Sequence, residues 1–374
     1  MPKIFMRLIH FTASKGWRGH EQKIIYLYEA FRDYGYCEAQ WIVCREGSDI
    51  HKIATDKGFN TVTFEYKSEY DFKLARKLRH IAEDNKADLV FIHNSQSHTI
   101  AVLSALFCGL KTPLVLCRTM IKKIDTNFFR KWKYNYRGIR KIICVSQPVV
   151  DILKPAVKDH SRLCIVGSVT DIHKFDKKPT GILRREFNIP DDHKIVGNVS
   201  AFVPVKDHVT WVGAVEELKR RGVKATYILI GDGPLEDEIK ALVKGKGLEN
   251  DIVFAGFRRD VPDILPELDL FLFTSNNEAT GSVVLEAYAS HVPSVAARAG
   301  GTSEVLVDGQ TGFLAEARNP IDFADKAEAI LANDALRQSM IEKGYQFLKE
   351  NFTKEVIAKK MFDELNEVYQ ASKK

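Results

Sequence analysis

A chain of 374 residues with 45% hydrophobic and 28% charged composition is long enough for two packed cores and too apolar to be disordered. Its 55 Lys and Arg against 49 Asp and Glu leave a formal net charge of +6, a modest excess with no accompanying nucleic-acid recognition motif, so nucleic acid is not expected as a partner. No apolar run reaches bilayer-spanning length; the longest, 100–110, is too short and carries Ser104.

Short β-rich runs alternate with helical segments along the chain, without internal repeats, which predicts α/β sheets. Residues 4–11 read as a strand, 12–21 as a loop holding Gly16 and Gly19, and 22–33 as a helix. Strands follow at 87–93, ending in His93, and at 113–118, ending in Arg118. Within 122–141 the cations Lys122, Lys123, Arg130, Lys131, Lys133, Arg137, Arg140 and Lys141 crowd among Phe128, Phe129, Trp132, Tyr134 and Tyr136, with one acid, Asp125. That segment reads either as a peripheral surface for anionic headgroups or as a solvated helix face whose aromatics pack inward. A strand at 139–146 and a strand and turn at 163–171 lead to a linker expected over 168–190.

Further on, a strand at 226–230 precedes Gly231-Asp232-Gly233-Pro234. The apolar run 268–273 ends in the turn-forming cluster Thr274-Ser275-Asn276-Asn277 and delivers the chain to Glu278. Val283, Val284, Ala287 and Tyr288 recur at helical spacing until Pro293, so a helix begins near 280–282. The amides of Gly281, Ser282 and Val283 then lack intrahelical acceptors and sit at the positive end of the helix dipole, where a diphosphate would be held. Glu278 and Glu286 flank that turn. A carboxylate gains nothing from a phosphate, so sugar hydroxyls are their natural partners. A capping box does not explain Glu286, because the position three residues earlier is Val283. The closing segment 353–369 places Val356, Ile357, Met361, Leu365 and Val368 on one helical face.

Glu278 and Glu286 with seven residues between them, then Pro293-Ser294-Val295 and Gly300-Gly301-Thr302-Ser303-Glu304, resemble the retaining glycosyltransferases of the GT-B fold, in particular family 4, the glycosyl transferases group 1. The resemblance covers most of the chain and is dense from 196 to 315. It implies an α/β fold of GT-B type, two doubly wound Rossmann-like domains facing each other across a deep cleft. The first would be an acceptor-side domain over 1–167 completed by the C-terminal helix at 353–374. The second would be a nucleotide-sugar domain over 191–352, beyond the linker.

It also implies roles. Residues 200–208 resemble the family's phosphate segment, which places Lys206 on the diphosphate, although Ala201 stands where an arginine is usual. Arg258 or Arg259 would be the compensating cation, and the backbone at 256–258 would hold the base. Glu278 would take donor-sugar hydroxyls and Glu286 the ribose, with the amides of Gly281, Ser282 and Val283 on the diphosphate. Gly16 and Gly19 belong to a loop that faces the donor phosphates in the family, or to a simple strand-to-helix turn; His20 replaces the second glycine of the Trp-Arg-Gly-Gly-Glu seen in members acting on surface saccharides. His93 would be structural or acceptor-side, and Arg118, where many members carry histidine, would bind a charged acceptor or the donor.

The expected reaction moves a sugar, with retention, from a UDP- or GDP-type nucleotide sugar to a saccharide or lipid-linked acceptor in lipopolysaccharide or surface polysaccharide synthesis. Front-face attack would use the departing phosphate oxygen as base. The alternatives are another GT-B enzyme, an epimerase or phosphorylase, and a binding protein that has lost catalysis. No metal and no cofactor are expected, since no His, Cys, Asp or Glu stand at ligand spacing and no Cys-x-x-Cys occurs. Six cysteines in apolar contexts, with no signal peptide at the start, point to the cytoplasm, at the inner face of the membrane if the acceptor is lipid-linked.

Overall fold

The computed structural model describes residues 6–17, 19–122 and 128–373, with backbone alone over 128–130. The chain divides into one unit of Met1–Val169 with Lys354–Lys374 and another of Thr170–Thr353.

The first unit is built on seven parallel strands: β1 (Arg7–Phe11), β2 (Ala39–Arg45), β3 (Thr61–Phe64), β4 (Leu89–Ile92), β5 (Leu114–Arg118), β6 (Ile139–Cys144) and β7 (Leu163–Ile165), in the order β3-β2-β1-β4-β5-β6-β7. Strand order reverses between β1 and β4. A parallel sheet needs cover on both faces, so its strands are apolar throughout: Leu89, Val90, Phe91 and Ile92 of β4 are all buried. The closing helix Lys354–Lys373 packs into this unit. Phe362 stacks on Tyr36 at 4.5 Å between centroids, Lys141 is ion-paired by Glu364 and Glu367, and Lys373 Nζ reaches Asp88 Oδ1 at 2.8 Å.

The second unit has six parallel strands: β8 (Lys194–Val199), β9 (Ala225–Ile230), β10 (Ile252–Gly256), β11 (Leu270–Phe273), β12 (Ser294–Ala297) and β13 (Phe313–Ala315), in the order β10-β9-β8-β11-β12-β13. Here the order reverses between β8 and β11. Alternation along β9 sends Tyr227 and Leu229 into one helix layer with Trp211 and Phe323, and Ile228 and Ile230 into the other with Val284 and Leu285.

The segment expected as a linker carries helices Ile172–Phe175 and Ile182–Glu186, and Phe175, Leu183 and Ile189 are buried in the second core. Glu267 fastens the second of these helices, its carboxylate accepting from the amides of Ile182 (2.6 Å) and Leu183 (2.8 Å). Helices of four and five residues are too short to score as periodic patterns, which is why they read as a connection.

Candidate active site

Doubly wound sheets bind ligands outside the carboxyl ends of their strands where the order reverses. In the second unit those ends are the turns after β8 and β11, and they carry Lys206 and Glu278.

After β8 the chain makes a turn at 200–203, a 3-10 turn Pro204–Lys206 and then the helix His208–Arg220. Asp207 joins them in the left-handed region (φ 51°) and caps the helix, its carboxylate accepting from Thr210 N and Thr210 Oγ1. The end of β11 grips this turn from the other side. Thr274 Oγ1 lies 3.0 Å from both Lys206 O and Asp207 O, Asn276 N donates to Val205 O at 2.9 Å, and Ser275 Oγ lies 2.9 Å from Val205 O and 2.7 Å from Glu278 Oε1. Against that frame the Lys206 ammonium is ion-paired with Glu278 and sits 5.4 Å above the Phe273 ring.

A third loop holds Glu278 by its backbone. Gly301 N donates to Glu278 O at 2.8 Å, and Gly300 (φ 56°) comes so close that a Cβ there would fall 2.1 Å from the same oxygen. Only glycine fits.

The helix after Glu278 spans Ser282–Ala289 with Gly281 as its N-cap in the left-handed region (φ 70°). Among the described residues no acceptor takes the amides of Gly281, Ser282 or Val283, and the buried Thr302 Oγ1, 3.5 Å from where a Gly281 Cβ would stand, is also unpartnered. Unused donors therefore converge beside the Lys206–Glu278 pair. Glu286 lies one turn further along; no hydrogen bond holds its half-buried carboxyl among the described residues, and burial pushes it from the ordinary 4.5 up to about 7, opposed by the charge of Lys174.

Arg258 is committed elsewhere. Its guanidinium is paired with Asp260 (2.8 and 2.7 Å) and with Glu186 (2.7 Å to both oxygens), which holds its charge firmly in place and ties the turn after β10 to the helix Ile182–Glu186. With two carboxylates on it, this arginine is more fully neutralised than Lys206, which faces Glu278 alone. Ala201, at the position where an arginine is usual, is exposed. At the end of β10, next to Arg258, Phe257 is 65% exposed.

In the first unit a cavity of about 800 Å³ opens at the carboxyl ends of β1, β2, β4 and β5, across the reversal of strand order. Gly16 and Arg118 line it; Gly19 instead begins the helix Gly19–Asp33, and Arg18 lies outside the described residues. His93 is not in its lining. It is 3% exposed, stacked on His10 at 5.3 Å between ring centroids, and joined through His10 Nδ1 (3.2 Å) to a chain that continues from His10 Nε2 to Gln40 Oε1 (3.1 Å). Burial holds both imidazoles well below their ordinary range, His10 down to about 4.

Of the basic and aromatic segment 122–141, residues 123–127 and the side chains of 128–130 lie outside the described residues. Elsewhere in it Tyr134 is buried against His98, Lys141 is taken up by the closing helix, and Trp132 is 40% exposed. Among the described residues no helix is long and apolar enough to cross a membrane, no group of three His, Cys, Asp or Glu is arranged to hold a metal, and all six cysteines are free thiols.

Residues 180–347, nearly the whole second unit, match the glycosyl transferases group 1 family. Over that segment the chain carries the glycosyl transferases group 1 pattern. The N-acetyl-alpha-D-glucosaminyl L-malate synthase of Bacillus anthracis is 29% identical over 82% of this chain and 83% of its own length. The lipopolysaccharide core biosynthesis glycosyltransferase LpsE of Rhizobium meliloti is 30% identical over 46% and 50%. Among solved structures, Anabaena HepE in complex with UDP and glucose superposes with a TM-score of 0.82 at 20% identity, over 97% of this chain and 100% of HepE. A glycosyltransferase of Rickettsia africae reaches a TM-score of 0.85 at 19% identity over 99% of both chains. The two sheets and these likenesses give the chain a GT-B fold.

Of the residues brought forward by sequence reasoning, the structure pairs Lys206 with Glu278 and sets Glu286 one helical turn beyond the 281–283 amides. Ser275 and Thr274 were legible only as turn formers, and Thr302 only as part of a glycine-rich loop. Their roles come from where their hydroxyls point.

Proposed function

We propose that the protein is a retaining glycosyltransferase that moves a sugar from a UDP- or GDP-type nucleotide sugar to a saccharide or lipid-linked acceptor, in lipopolysaccharide or surface polysaccharide synthesis at the cytoplasmic face of the membrane. The observation that carries this reading is the convergence of Lys206, Glu278 and the unpartnered 281–283 amides at the strand-order reversal of the second unit. As the glycosidic bond breaks, negative charge grows on the diphosphate, and a preorganised ammonium with helix-terminal amides stabilises it in a site that needs no reorganisation. Glu278 contributes hydrogen-bond acceptance to donor-sugar hydroxyls while holding Lys206 in place. Glu286 accepts from the ribose, and the exposed Phe257 ring offers the base a flat face. The acceptor occupies the cavity of the first unit, its hydroxyl losing its proton to the departing phosphate oxygen. Lys206 and the amides supply the charge, so neither metal nor cofactor takes part.

The kinship with LpsE, and the UDP and glucose carried by HepE, are in keeping with this reading. The deciding experiment titrates the full chain with UDP, GDP and ADP, then follows transfer and hydrolysis of sugar nucleotides of the bound base, with the anomer assigned by NMR. Selective binding and an anomer-retained product support the proposal. An inverted product refutes retention; binding with no turnover at any enzyme concentration makes this a sugar-nucleotide-binding protein, which the exposed Ala201 would explain.

A further inference from the structure

The cavity of the first unit has a charge pattern that a neutral sugar does not need. Lys15 enters it from the turn after β1, Arg45 from the end of β2, Arg118 from the end of β5, and Lys122 from just beyond. Among the described residues none of these four has a carboxylate within ion-pairing distance. Arg118 donates only to Lys122 O, through Nη2 at 3.2 Å, and its buried Nε has no partner. The one acid in the lining, Glu69, lies 3.3 Å from Thr99 Oγ1.

Neutral saccharides are held by acceptors and amides, which hydroxyls can donate to and accept from. With Lys133, which also lines the cavity and donates to Thr99 Oγ1, five cations against one acid in a concave site instead concentrate positive potential, and the planar fork of an arginine matches a phosphate or carboxylate with two parallel bonds. Beside these charges the lining mixes neutral polar side chains, among them Asn94, Gln96 and Thr99, with exposed apolar ones: Phe107 is 65%, Met120 46% and Trp132 40% exposed.

On the reading that this cavity takes the acceptor, we propose that the acceptor of this enzyme is an anion, carrying a phosphate or carboxylate that Arg118 and its neighbouring lysines bind. The same chemistry comes from a lipid headgroup or from a free phosphorylated or carboxylated small molecule, and the exposed Phe107, Met120 and Trp132 suit a headgroup with an apolar stem.

The test uses calorimetric titration of the full chain with octyl phosphate, octyl glucoside and glycerol 3-phosphate, below the micelle concentration of the octyl compounds. Octyl phosphate is expected to bind about tenfold or more tightly than octyl glucoside, because charge-assisted bonds form with the head. That comparison stands on the unaltered protein. Glycerol 3-phosphate equalling octyl phosphate identifies a free phosphate as the source, and binding of octyl phosphate alone identifies a lipid headgroup; either supports the anionic acceptor. Equal binding of the two octyl compounds overturns it. In the double variant Arg118→Glu, Lys122→Glu the octyl phosphate site is expected to be lost while UDP or GDP still binds as in the unaltered chain. If nucleotide binding falls by the same factor, the cations serve the donor's diphosphate and the proposal fails. Failure of the unaltered protein to bind any nucleoside diphosphate would instead sink the transferase reading, and the octyl comparison would still report on the cavity.

Discussion

Lys206 and Glu278, 72 residues apart, meet as an ion pair at the point where the second sheet reverses its strand order. The pair is the product of three loops: the 3-10 turn after β8 presents the ammonium, Ser275 braces the carboxylate, and Gly301 holds the Glu278 backbone.

Lys206→Ala is expected to lower kcat by roughly 100- to 1,000-fold, the range seen when one preorganised charge-stabilising donor is removed. The Michaelis constant for the donor should rise less, because the growing charge is a transition-state feature. Steady-state kinetics of sugar transfer checks this, and a variant within threefold of the unaltered rate would remove Lys206 from the mechanism.

The two glutamates should separate by ligand. Glu286→Ala weakens binding of the free nucleoside diphosphate, whereas Glu278→Ala spares it and removes the extra affinity contributed by the donor sugar. Calorimetry with UDP or GDP and the matching sugar nucleotide reads both, and unchanged affinity for the free diphosphate in both variants would displace Glu286 from the ribose.

Glu286 also predicts a pH dependence. Its carboxyl has an ordinary value of 4.5 and rises to about 7 in the folded protein, so the native state holds the proton more tightly than the unfolded one. Stability from this group is therefore full below 4.5 and is lost as pH rises through about 7. Relative to Glu286→Gln, the unaltered protein should lose Tm across that window. Nucleotide affinity should rise over the upper part of it, since the ionised carboxylate is the better acceptor for ribose hydroxyls. A parallel pH course in the two proteins would contradict the assignment.

Gly300→Ala should be strongly destabilising. The new methyl would fall 2.1 Å from Glu278 O in a backbone at φ 56°. Relief requires moving either the 300–301 loop or Glu278, at a cost of about 2–4 kcal/mol. Chemical denaturation measures the loss, and transfer should fall with it because Glu278 moves.

Arg258→Ala should leave kcat close to the unaltered value while weakening nucleotide binding, because this side chain positions the turn after β10 through Glu186 and Asp260. A fall in kcat comparable with that of Lys206→Ala would show that Arg258 leaves its carboxylates to stabilise the leaving group.

Much of this protein was legible from residue order. Local rules suffice for alternating strands and helices, for a helix beginning near Gly281, and for one glutamate before it and one in its second turn, because side-chain period, glycine conformation and helix-end donors act over a few residues. Tertiary structure alone decided which charges are available. Arg258 and Lys206 are both cations just beyond carboxyl ends of strands in the second sheet, yet Arg258 is bound by two carboxylates from separate segments, while Lys206 faces a single glutamate at the reversal of the sheet. His93 and Arg118 both end strands of the first sheet; burial closes one into a histidine pair and the cavity opens to the other. Charge pairing and burial depend on segments far apart in the chain, and no local pattern encodes which of them will meet.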